Sequence, residues 1–98
     1  MELTDLRDEI DKIDKALVKL FTQRMEISAQ IAGYKKEKNL PIFVPARERE
    51  KLADVAEKAG PDMANYTQAL YTTIFELSRD YQSKLIGKNS PLSGSEEV

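Results

Sequence analysis

The chain has 98 residues, of which 41% are hydrophobic and 33% charged, and its formal net charge is −2. One domain is the most this length supports. With no cysteine and no histidine, it has no disulfide framework, no thiolate nucleophile and no imidazole to serve as general base or metal ligand. Slight acidity argues against a dedicated nucleic-acid binder, and no run of about 18 apolar residues is present to span a membrane. The N-terminal MELTDLRDE is acidic and lacks an apolar core, so it does not read as a signal peptide; the expected compartment is the cytoplasm.

The first predicted element runs from Thr4 to Lys38. Its apolar residues fall at Leu6, Ile10, Ile13, Leu17, Leu20, Ile27, Ile31 and Tyr34, in steps of four and three. This is the seam of a long amphipathic helix. Thr4 is the expected N-cap, with Asp5, Asp8 and Glu9 at the positive end of the helix dipole and Lys35, Lys36 and Lys38 at the negative end. Asn39 and Pro41 are the expected stop. A helix of this length, about 50 Å at 1.5 Å per residue, overshoots a compact domain of this size and needs a partner along it. Both the rest of the chain and a second copy are expected to serve. Gly33 interrupts the pattern at a cost of about 1 kcal/mol against Ala, unless a ligand or another backbone comes close there.

A loop with two prolines follows, with Leu40, Ile42 and Phe43 expected to anchor it to the core. The second helix is predicted from Pro45 to about Ala59, closed by Gly60-Pro61, although Val44 is a poor residue to cap it. The third is predicted from Asp62 or Asn65 to about Ile86. Its apolar face is Met63, Tyr66, Leu70, Ile74, Leu77, Tyr81 and Leu85, and Gly87 is the expected C-terminal stop. Residues 1–86 thus form one all-α, three-helix domain, and 87–98 read as a disordered tail or linker stub. No strand is predicted.

The seam calls for an apolar residue at position 24, and the chain has Arg24. Either this charge sets register or snorkels to an edge, or it is a buried guanidinium waiting for an anion, since a buried charge is costly unless paired. Lys35 lies eleven residues on, three turns away on the same face. Alone it reads as a lysine that complements the helix dipole. Together with Arg24 it makes a cation at each end of a floor formed by Ile27, Ser28 and Ile31. Arg47 and Glu48 open the second helix one turn from the loop after Lys35; they are either solvated charge or the cap of the same pocket. Ser78 and Gln82 lie one turn apart beside the third helix's apolar face, an edge position when each is taken alone. Arg7 is about 25 Å along the helix from Arg24 and reaches that site only from the antiparallel helix of a second chain.

These residues resemble a known family. The segment LRDEIDKIDKALVKLFTQRMEISAQIAGYK, followed by P-I-x-x-x-x-R-E-R-E and then ELSRDYQ, is similar to the all-helical chorismate mutases over roughly Met1 to Ile86. Such domains occur alone or at the start of shikimate-pathway fusion enzymes. The resemblance implies an intertwined homodimer with two equivalent sites and no cofactor or metal. It also implies the pericyclic conversion of chorismate to prephenate, a step towards phenylalanine and tyrosine. Arg24 is then expected to bind one substrate carboxylate and Arg7 of the other subunit the second. Lys35 and Gln82 would face the ether oxygen, and Glu48 would take the ring hydroxyl. Ser78 and Arg47 would support the carboxylate end. The family often carries Asp where this chain has Val44; a backbone N–H there still serves the hydroxyl, but the side-chain cap is lost.

Two other readings use the same pattern. One is a lyase on this scaffold that releases pyruvate from isochorismate with similar cations. The other is a non-catalytic helical dimerisation or regulatory module, against which stands the polar constellation set within apolar faces.

Overall fold

The computed structural model describes residues 2–88 and contains three helices: α1 (Leu3–Lys38), α2 (Pro45–Ala59) and α3 (Ala64–Lys88). Among the described residues there is no strand, and no helix is long and apolar enough to cross a membrane. The molecule measures 57 × 28 × 22 Å, its long dimension set by α1. Its radius of gyration is 17.4 Å, against about 13 Å for a compact domain of 100 residues.

Local chemistry explains where each helix ends. The cap of α1 is Glu2, two residues before the expected Thr4, and the Glu2 N–H donates to the Asp5 carboxylate at 3.1 Å, satisfying a donor that the helix itself leaves free. Asn39 closes it in the left-handed region at φ 57°, with the Asn39 N–H reaching the Lys36 carbonyl and the Leu40 N–H reaching the Lys35 carbonyl at 2.8 Å. These two bonds form a Schellman turn. α2 opens with Pro45 at its first position. Val44 supplies no side-chain cap, but its carbonyl accepts from the Arg47 and Glu48 amides at 3.1 and 3.2 Å. Gly60 ends α2 at φ 83°. α3 runs through Gly87 to Lys88, so Gly87 does not stop it; the rest of the expected tail lies outside the described residues.

α3 is the spine. It packs against both α1 and α2, which do not pack against each other. The packed faces differ from those expected. On α1 the buried positions are Ser28 and Ala32, with Met25 and Ala29 half-buried. On α3 they are Phe75, Ser78 and Gln82, with Tyr71 half-buried. Each set keeps helical steps of three and four, but each is displaced from the most apolar stripe. Small side chains at 28 and 32 let α3 approach closely. The stripe from Leu6 to Leu20 remains exposed, as do Ile27, Ile31, Met63, Tyr66, Leu70 and Leu77. Among the described residues the buried apolar side chains are Ala32, Val55 and Phe75, a thin core for a chain of this length.

Further contacts fix the smaller elements. Gln68 Nε2 donates to the Leu52 carbonyl at 3.2 Å, pinning α2 to α3. In the loop only Ile42 is half-buried; Leu40 and Phe43 stay exposed and are not core anchors. Among the described residues a Cβ added at Gly33 would meet nothing within 4 Å, so no other described backbone comes close there. Ala32 is 1% exposed against α3. Ala32→Leu is expected to lower unfolding stability by about 1–3 kcal/mol through overpacking, measured by urea titration.

Candidate active site

Because α1 and α2 stand apart on α3, a cavity of about 360 Å³ opens between them. α1 lines it with Arg24, Ile27, Ser28, Ile31 and Lys35. The loop adds Ile42 and Val44, the start of α2 adds Arg47, Glu48 and Lys51, and α3 adds Phe75, Ser78, Arg79 and Gln82. The spacing of eleven between Arg24 and Lys35 therefore does place both on one wall with the apolar Ile27 and Ile31 between them. Every expected site residue lines this cavity except Arg7, which is exposed near the start of α1.

Four polar side chains of α1 and α3 are held by specific contacts. Arg24 Nη1 donates to Ser78 Oγ at 3.3 Å, and its guanidinium carbon lies 5.9 Å from the Tyr71 ring centre and 5.8 Å from that of Phe75. Ser78 Oγ in turn lies 3.8 Å from Met25 Sδ. Lys35 Nζ donates to the Ile42 carbonyl at 3.0 Å, tying the loop to α1. Gln82 Nε2 donates to the Ser28 carbonyl at 2.9 Å. Ser78 and Gln82 are 8% and 6% exposed; they are the buried contact surface of α3, not its edge.

Donor capacity is left over. Arg24 has five N–H donors, the Lys35 ammonium three and the Gln82 amide two. Each makes one hydrogen bond named above, so the remainder can turn toward the cavity. Five cations and one carboxylate line it. Among the described residues no carboxylate lies within ion-pair distance of Arg24, Lys35 or Arg47.

The other cations are already matched. Arg79 Nη1 pairs with the Glu48 carboxylate, and the Arg79 guanidinium sits 4.6 Å from the centre of the Phe43 ring. Lys51 lies 3.5 Å from Asp54. Asp54's carboxyl is held below the usual carboxylate range, first by the hydrogen bond from Lys58 and then by the charges of Lys58 and Lys51. Arg79 and Lys51 were not among the residues the sequence singled out. Lys51 carried a signal, lying four residues after Arg47 and so on the same helical face. Arg79 stands within ELSRDYQ, but its partner Glu48 is 31 residues away, a distance no local spacing reports.

An all-helical domain whose helices converge on a small, predominantly cationic cleft has the charge to receive a compact anion. Among the described residues no acidic cluster could hold a metal ion. A family model for type II chorismate mutases matches residues 6–83, and the chain belongs to that family. It is 47% identical over 58 residues to the T-protein of Enterobacter agglomerans, an alignment covering 59% of this chain and 16% of that protein. It is 47% identical over 49 residues to the bifunctional chorismate mutase/prephenate dehydratase of Aquifex aeolicus, covering 50% and 14%. With the enzyme of that name from Buchnera aphidicola the identity is 36% over 90 residues, covering 89% and 23%. The chain thus spans less than a quarter of the length of these curated relatives.

An anion with two carboxylates should bind here without chemistry. Malate is expected to raise the thermal midpoint of the wild type as its concentration passes its dissociation constant. Thermal scans of Arg24→Gln should show a much smaller rise.

Proposed function

We propose that this domain is a chorismate mutase that rearranges chorismate to prephenate. The observation that carries the reading is the set of three cations, Arg24, Lys35 and Arg47, lining one cavity with no carboxylate partner among the described residues. Chorismate carries two carboxylates, an ether oxygen and a ring hydroxyl. Family membership and the activity for which the bifunctional relatives are named support the same substrate.

The reaction is pericyclic. One C–O bond breaks and one C–C bond forms within the substrate, so no nucleophile, metal or obligatory proton transfer is required. The protein must hold a chair-like diaxial conformer and stabilise negative charge growing on the ether oxygen. A gain of about a millionfold corresponds to roughly 8 kcal/mol, and one well-placed donor supplies about 3–4 kcal/mol of it. Arg24, steadied by Ser78, takes one carboxylate with its free N–H groups. Lys35 and Gln82 each keep a free donor for the ether oxygen, and Glu48 takes the ring hydroxyl beside the Val44 backbone. Arg47 supports the carboxylate end.

The second carboxylate needs Arg7 of another copy of this chain. The exposed stripe Leu6, Ile10, Ile13, Leu17 and Leu20 supports a homodimer built on α1, and so does the thin single-chain core. An antiparallel partner along that stripe brings its own Arg7 towards this cavity. The cytoplasm is the compartment consistent with a biosynthetic activity of this kind.

The direct assay is loss of chorismate absorbance with prephenate identified as product; release of pyruvate from isochorismate instead would favour the lyase. Lys35→Ala is expected to lower kcat by about 100- to 1000-fold without changing the sedimentation of the dimer, and a near-normal kcat would remove Lys35 from the ether oxygen. Mixing inactive Arg7→Ala and Arg24→Ala dimers should restore activity to about a quarter of wild type, because each mixed dimer of a two-fold assembly has one site with neither lesion. Absence of recovery despite demonstrated subunit exchange would argue for sites built from one chain.

A further inference from the structure

We propose that Arg79 is a positioning residue that acts on the substrate through Glu48; the inference rests on the mutase reading above. Arg79 does two things with one planar group. Its Nη1 pairs with the Glu48 carboxylate in the first turn of α2, and its guanidinium lies 4.6 Å from the Phe43 ring centre in the loop. It thereby joins α3, α2 and the loop on the side of the cavity opposite α1.

Glu48 is the lone carboxylate among five cations lining the cavity. Left to itself, a carboxylate on a flexible two-carbon stem would turn to whichever cation came nearest. Lys51, three residues on in the same helix, and Arg47 beside it are both at hand. Either choice would take Glu48 away from the ring hydroxyl and occupy a cation. Arg79 prevents this by holding Glu48 from the α3 side. A carboxylate offers about four lone-pair sites, so the pair leaves room to accept the hydroxyl proton as well. Arg79 also offsets the Glu48 charge, so a dianion can approach a carboxylate without net repulsion. Phe43 gives the guanidinium a flat surface to rest on, which is why an exposed aromatic stands at the loop's outer edge.

The test is a double-mutant cycle on chorismate turnover, which separates a direct interaction from two independent lesions. Arg79→Met keeps the side chain's length and removes its charge and donors. It is expected to raise KM by about tenfold or more with a much smaller change in kcat, since a hydroxyl contact is made in the bound substrate as well as in the transition state. In a Glu48→Gln background Arg79→Met is expected to change KM little. With a chorismate analogue lacking the ring hydroxyl, its effect should likewise fall away. Arg79→Lys, which keeps charge but loses the planar fork and the stacking, should lie between; it takes the place of Arg79→Met in the cycle if the latter does not fold. An equal loss in both backgrounds, or an undiminished loss with the deoxy analogue, would overturn the role through Glu48. Turnover unchanged by Arg79→Met would do the same while leaving the mutase reading intact. Failure of the wild type to convert chorismate would overturn both together.

Discussion

The structure is organised around positive charge that it does not itself neutralise. Arg24, Lys35 and Arg47 line one cleft without a carboxylate partner among the described residues. A guanidinium away from bulk water is costly without compensation, and Arg24 is half-buried. Its partial compensation is a neutral hydroxyl and the faces of two aromatic rings. Cation–π contacts of this kind are worth about 0.5–2 kcal/mol, well short of a matched anion. On the mutase reading, the remaining electrostatic demand is met by the substrate. This is the stored preorganisation that a pericyclic catalyst needs, since its only task is to meet charge where it develops.

That arrangement depends on α1 and α2 being kept apart. They do not pack together, and the space between them is set by their separate contacts with α3. Lys35 holds the loop to α1 through the Ile42 carbonyl, and Arg79 holds α2 and Phe43 from the other side. Val44 fits this scheme without a capping side chain. Its carbonyl takes two amides of the first turn of α2, and Pro45 has no N–H to satisfy.

Much of this was legible in the sequence. Helix positions followed from periodicity, and their ends from Asn39, Pro45 and Gly60, because caps are local chemistry. The face shared by Arg24 and Lys35 followed from helical geometry alone. Which faces would be buried did not follow. Periodicity identifies an apolar stripe but not what covers it, and here the chain spends Ser28, Ala32, Ser78 and Gln82 on its own packing while the stripe from Leu6 to Leu20 is left open. Ser78 and Gln82 looked like edge residues for the same reason. Arg79 carries no local signal, because its role lies in a contact across 31 residues of chain.

The placement of Arg24 and Lys35 on one uninterrupted helix also constrains how this gene can change. Inserting a single residue between them would turn everything beyond it by about 100° around the helix axis. Lys35 would leave the cleft, and an insertion ahead of Ala32 would rotate that residue away from α3 as well. A deletion would do the same in the opposite sense. That segment therefore tolerates substitution far better than a one-residue change of length. The turn at residues 60–63 follows the end of α2 remote from its cavity-lining residues and bears no cavity residue itself, so a length change there leaves the register of every site group on its own helix intact.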